Sequence, residues 1–121
     1  MRNYLQPGDT LHYTNATGAD IAAGAPVIVG SQIGVAIGDI ANGESGPLSM
    51  GGVYILPKTA GAAIAQGTAV IFDKSAAAFV PVGTATATGD VTGACTAWEA
   101  AASGDTSVAV KINTGAGAVA A

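Results

Sequence analysis

Short runs rich in Val, Ile and Thr recur along the chain, each closed within a few residues by Gly, Pro, Asn or Asp. They lie at 10–15, 26–30, 33–39, 52–56, 69–73, 79–82, 91–98 and 107–113. β-Branched residues suit a pleated, half-buried surface, and breaks this frequent leave no room for a long helix. About eight short strands at this spacing predict an all-β domain, a small β-sandwich or barrel. Asn42-Gly43 is a tight-turn dipeptide suited to positive φ. Gly24 and Gly67 each stand just ahead of a run, where a bend or bulge is expected. Two Ala-rich stretches, 59–66 and 97–103, come nearest to helix, but Gly61 lies inside the first and Gly67 and Gly104 end them. Helices so short are marginal without tertiary support, so both read as loops with at most a single turn.

The pattern repeats. Ile21-Ala22-Ala23-Gly24-Ala25-Pro26-Val27-Ile28 aligns without a gap on Ile64-Ala65-Gln66-Gly67-Thr68-Ala69-Val70-Ile71. Beyond that block the match loosens: Gly34-Val35-Ala36 falls beside Gly93-Ala94-Cys95, and the run 52–56 beside 107–113. Two β-units of similar build packed together would produce this. Chance likeness among Gly-, Ala- and Val-rich strands is the competing reading.

Composition sharpens the picture. Hydrophobic residues are 50% of the 121, but 27 of them are Ala, and aromatic residues are only 5%. Each buried CH₂ is worth about 0.8 kcal/mol, so small side chains predict a thin core. Small domains offset a thin core with a disulfide, a metal or a subunit contact. Cys95 is the only cysteine and His12 the only histidine, which leaves no intrachain disulfide and no Cys/His zinc set. Self-association or docking on a larger body is therefore expected, with a self-sufficient monomer as the alternative. Charged residues are only 10%, and a surface so poor in charge is weakly defended against association.

Charge and chemistry then exclude several functions. The net charge is −4, and the four basic residues, Arg2, Lys58, Lys74 and Lys111, are scattered, so no footprint for nucleic acid exists. Residues 1–9 lack the apolar run of a signal peptide, and no stretch approaches a transmembrane span. Synthesis in a cytoplasm, away from any membrane, is the expectation. The only nucleophile–base dyad available is Cys95 with His12, and nothing in the sequence brings them together. Most acids sit beside Gly or in turn-like contexts, where Asp caps its own backbone. Lys58-Thr59 and Lys74-Ser75 lack the preceding Gly of a phosphate loop, and Gly115-Ala116-Gly117 has no strand or helix to frame it. Asn15-Ala16-Thr17 fits a glycosylation acceptor only in a secreted chain. No catalytic, cofactor-binding or metal residue emerges. Residues 1–8 read as an N-terminal arm, 9–113 as the β-domain, and 114–121 as a mobile Gly/Ala-rich tail.

Several blocks in this order and spacing are similar to one family. They are Asn3-Tyr4-Leu5-Gln6-Pro7-Gly8-Asp9, Gly52-Val53-Tyr54-Ile55-Leu56-Pro57-Lys58 and Gly67-Thr68-Ala69-Val70-Ile71-Phe72-Asp73. Glu99-Ala100-Ala101-Ala102-Ser103-Gly104-Asp105-Thr106-Ser107-Val108 and Val110-Lys111-Ile112-Asn113 complete them. Over nearly its whole length the chain resembles the capsid cement (head decoration) proteins of tailed bacteriophages. Ala94-Cys95-Thr96-Ala97-Trp98 departs from the family's plainer Val-Ala strand, and the residues after Asn113 run past its usual end. The resemblance implies a non-enzymatic structural protein on the outer capsid surface of the virion, clamping adjacent subunits of the major capsid protein. It also implies a homo-oligomer, with a trimer set ahead of a dimer, and no cofactor, nucleic acid or membrane. Members have also been labelled recombinases; an acidic chain without a phosphate loop argues against that label. A tail or fibre module of another phage structure is the alternative. Candidate contact residues are Tyr4, Leu5, Gln6 and Pro7 in the arm, then Trp98 and Phe79, because aromatics anchor interfaces.

Overall fold

The computed structural model describes residues 8–120. Among them are ten strands and no helix. β1 (Thr10–Thr14), β2 (Pro26–Val29), β3 (Gln32–Ala36) and β4 (Ser45–Ser49) form an antiparallel sheet in the order β1-β4-β3-β2. β5 (Val53–Pro57), β6 (Ala69–Asp73), β7 (Ala78–Pro81), β8 (Val91–Ala97) and β9 (Ser107–Lys111) form the other, in the order β5-β9-β8-β6-β7. A short β10 (Ala118–Val119) pairs with β8 and makes this sheet six-stranded. Its two edges meet: Lys58, just past β5, makes a parallel bridge to Phe79 of β7, and the Thr59 N–H donates to the Phe79 carbonyl at 3.1 Å. The result is a small sandwich of two antiparallel sheets, one of them curled nearly closed.

The repeat is structural and its loop and ladder bonds recur, save that β6–β8 shifts register between Val70 and Phe72 where β2–β3 runs unbroken. Ile21 and Ile40 exchange two 2.8 Å bonds; Ile64 and Ala101 exchange two of 2.9 Å. Gly24 and Gly67, both at positive φ, donate at 2.8 Å to the carbonyls of Ala36 and Ala97. Pro26 lies opposite Val35 and Ala69 opposite Thr96, while Ala36 meets Leu48 and Ala97 meets Val110. β1 on β4 and β5 on β9 run in the same register. The first unit is therefore β1–β4, and the second is β5, β6, β8 and β9 with β7 inserted. Outside the gapless block the sequence alignment needs correction. Gly34-Val35-Ala36 corresponds to Cys95-Thr96-Ala97, and the counterpart of β9 is β4, not the run 52–56, which corresponds to β1.

Two strands escape the hydrophobic pattern. β4 reads Ser-Gly-Pro-Leu-Ser, with Leu48 its only large apolar residue. A Pro inside a central strand normally breaks a ladder. Here the Ile37 N–H donates to the Pro47 carbonyl at 3.3 Å and proline needs to return no bond, because the β3–β4 ladder has two register pairs and ends there, as the β8–β9 ladder does at Ala109. The Gly/Ala tail, expected to be mobile, lies along β8 instead. Gly89 donates to Ala120, and Ala120 to Asp90, at 2.9 and 2.8 Å. Gly117 passes so close to Ser31 that a Cβ there would sit 2.2 Å from the Ser31 carbonyl oxygen. Only glycine fits.

Each unit has its own core. In the first, Ile21, Val27, Ala36, Ile40 and Leu48 are buried, with Leu11, Tyr13, Val29 and Met50 half-buried around them. The second contains the equivalents of all of these, and there Leu56, Phe72 and Ile112 are buried. Phe79 fills its centre, fully enclosed and edge-on to Phe72 at 5.1 Å between centroids. Ile33 and Val35 of the first unit are also buried in this second core.

Asn113 clips the units together. Its Oδ1 accepts the Ile33 N–H at 3.0 Å, and its Nδ2 donates to the carbonyls of Ile33 at 2.7 Å and Met50 at 2.9 Å. At φ 57° it occupies the left-handed region that Asn tolerates best after Gly. Asn113→Ala should lose about 2–3 kcal/mol in urea denaturation, at about 1 kcal/mol net per bond. Asn113→Gly removes the backbone strain but not the deficit, so it should also be destabilised; wild-type stability in the Gly variant would show that the bonds contribute nothing.

Candidate interaction surfaces

The chemistry-bearing residues are occupied with holding turns. Asp20, Asp39 and Asp105 accept the N–H groups of Asn42, Ala23 and Ala102 at 2.8–2.9 Å. Asp73 caps Ser75 and Ala76, and buried Asp90 accepts from Lys74 and Ala87. Asn15 and Lys58, in equivalent places after β1 and β5, are both buried donors to loop carbonyls. Asn15 Nδ2 reaches Ala19 at 2.8 Å and Ile40 at 3.0 Å; Lys58 Nζ reaches Thr59 at 3.0 Å and Asp105 at 3.2 Å. Lys58 thus faces the protein, not a ligand. His12 is exposed on β1 and Cys95 is buried on β8, in different sheets, so they form no dyad. Among the described residues, no three His, Cys, Asp or Glu side chains cluster to hold a metal ion. Nor is any helix there long and apolar enough to cross a membrane.

What stands out is exposed apolar surface. On the outer face of the second unit, Ile55 lies opposite Ala109, and Trp98 donates its N–H to the Ala109 carbonyl at 2.8 Å. The three side chains form a row across β5, β9 and the end of β8, with Ile55 78% and Trp98 47% exposed. Lys111 caps the indole, its Nζ 4.9 Å from a ring centroid, and Val53 extends the patch beside it. The first unit presents the equivalent row, His12, Pro47 and Ile37, all exposed. A groove of about 650 Å³ runs along β2, between Ile21, Val27 and Ile28 on one side and Phe72, Lys74, Ala77 and Val119 on the other.

Of the residues singled out from sequence, Trp98 lies on this outer row and Phe79 is interior. Tyr4, Leu5, Gln6 and Pro7 lie outside the described residues. Sequence reasoning missed Val53 and Ile55. All five residues of β5 are apolar or aromatic, so alternation gives no sign of which face is exposed; only pairing with β9 decides it.

A family model for phage cement proteins matches residues 5–112. The chain belongs to the phage cement protein family. No curated protein and no solved structure matches it. Membership gives this cement protein a structural role on the phage capsid. Its one thiol is withdrawn from the surface: burial pushes Cys95 up from 9.0 to about 11, against a lowering hydrogen bond to the Asn113 backbone.

That shift has a sign. The unfolded thiol ionises first, so the contribution of Cys95 to stability is whole below pH 9 and is lost as pH rises from 9 through about 11. The cement protein should resist a thiol reagent at pH 8 until unfolded. Cys95→Ala should flatten the fall in urea midpoint over that window; an unchanged slope would assign the fall to other groups.

Proposed function

We propose that this cement protein binds the outer surface of the phage head and clamps adjacent subunits of the major capsid protein, without catalysing a reaction. The observation that carries the reading, beyond the family, is the exposed Ile55–Ala109–Trp98 row. A rigid sheet face with an aromatic anchor, a flanking cation and few charges suits broad, shape-matched contact. Weak individual contacts suffice, because an oligomer engaging several capsid subunits gains from effective concentration. A homo-oligomer, a trimer ahead of a dimer, fits the charge-poor surface. The arm, with Tyr4, Leu5, Gln6 and Pro7, reaches a neighbouring subunit. Nucleic acid is not a partner: Lys58 is buried, Lys111 caps Trp98, and Lys74 lines the groove. The protein is made in the host cytoplasm and joins the head there.

Purified virions should contain this chain at near-stoichiometric ratio to the major capsid protein; a handful of copies per particle would rule out a lattice clamp. Trp98→Ala should fold, with a loss of about 1–2 kcal/mol in unfolding free energy, since half the ring is covered and Lys111 stacks on it. Co-sedimentation with heads should weaken about tenfold, the loss of a modest interface anchor. Undiminished binding would remove the row from the contact.

A further inference from the structure

The second unit carries two strands that the first lacks, β7 and β10, and the want of a β7 leaves one edge of the first unit open. In the second unit β7 pairs along the outer edge of β6, Ile71 opposite Val80 and Phe72 opposite Phe79, and its phenylalanine plugs the core. The equivalent edge in the first unit is β2, which pairs only with β3. Because Ala36 donates to Ala25 at 3.0 Å, ladder parity turns Val27 and Val29 toward β3. The N–H and C=O of Ile28 therefore point away from it, into the groove along β2. The core beneath registers the missing strand: Tyr13, Val29 and Met50 are half-buried where Leu56, Phe72 and Ile112 are buried.

We propose that β2 accepts an added strand there, and that the strand is residues 4–7 of a second copy of this chain, running antiparallel to β2 as β7 runs on β6. This rests on the self-association in the proposed function and names its site. The chemistry follows the internal template when Tyr4 is set on Phe79 and Leu5 on Val80, an aromatic followed by an aliphatic; Gln6 then takes the place of Pro81, and Pro7 comes one residue later. The donor is a second copy for a topological reason. β7 bridges in parallel to the residue after β5, so an occupant of the equivalent place runs parallel to β1. Parallel neighbours need a crossover of about a dozen residues or more, and only Gly8 and Asp9 separate the arm from β1 in its own chain. Main-chain bonds to the edge supply affinity, and the half-buried core supplies a socket for the aromatic ring.

The test uses a peptide of residues 1–9 titrated into protein lacking residues 1–7. Amide shifts should be confined to 26–30, 74–77 and 119, a scrambled peptide should give none, and Val119→Arg should weaken binding at least about tenfold, a 1.4 kcal/mol loss. Val119 is 48% exposed on the groove rim, so that substitution spares the core. In sedimentation of the free protein, wild type should self-associate, the deletion and Val119→Arg should each be monomeric, and mixing the two should restore association. Absent or misplaced shifts, or self-association that survives the deletion, would overturn the proposal. If both changes abolish head binding but not self-association, the strand comes from the capsid and the proposal falls while the head role stands. Groove-dependent self-association without head binding would be the reverse.

Discussion

Ile33 and Val35 belong to the first unit, yet they are buried in the core of the second. β3 is consequently enclosed on both faces, since Ala36 points the other way into the first core. A chain rich in Ala and Gly cannot build two independent cores of ordinary depth; about 25 cal/mol per Å² of apolar burial makes each small side chain a small contributor. Sharing one strand between two cores removes more surface per residue. Everything else serves that arrangement. Asn113 holds the shared strand by its backbone at Ile33, and Ser31 hydrogen-bonds the tail at Ala116, at 2.8 Å, so the last residues lie across the junction of the units.

Duplication also explains where the surface is unusual. Equivalent positions in the two units carry the same geometry with different side chains, so His12, Pro47 and Ile37 occupy the places of Ile55, Ala109 and Trp98. The first row is the more polar, the second the more apolar. The buried donors at Asn15 and Lys58 show the same principle: one position, two side chains, each supplying N–H groups to loop carbonyls that would otherwise be unpaired.

The strand pattern, the all-β class and the gapless block of the repeat were legible because Val/Ile/Thr runs and Gly24/Gly67 report local backbone preference. β4 was not, because Ser45-Gly46-Pro47-Leu48-Ser49 has little strand preference of its own and is held by its five-pair ladder with β1, a tertiary fact. β10 was hidden for a similar reason: its Gly-rich approach exists to pass Ser31, which the sequence cannot place beside Gly117. Of the candidate contacts, Trp98 was found by type alone, whereas Ile55 needed the β5–β9 register. Phe79 reads from sequence as the more core-like of the two aromatics, and the closure of β7 onto β5 is what encloses its ring.

Sharing β3 has a consequence for the order in which the molecule is made. A ribosome delivers all four strands of the first unit once Ser49 has emerged, but Ile33 and Val35 still face water. Their cover comes from the second core, with β8 against β3, and Asn113 then bonds the Ile33 backbone. The nascent first half therefore carries an unfinished apolar face through much of translation, and its closure depends on contacts far apart in sequence. Chains built this way fold slowly and are most prone to aggregate while incomplete. The interval between its two halves is accordingly when the chain has most apolar surface open to aggregation.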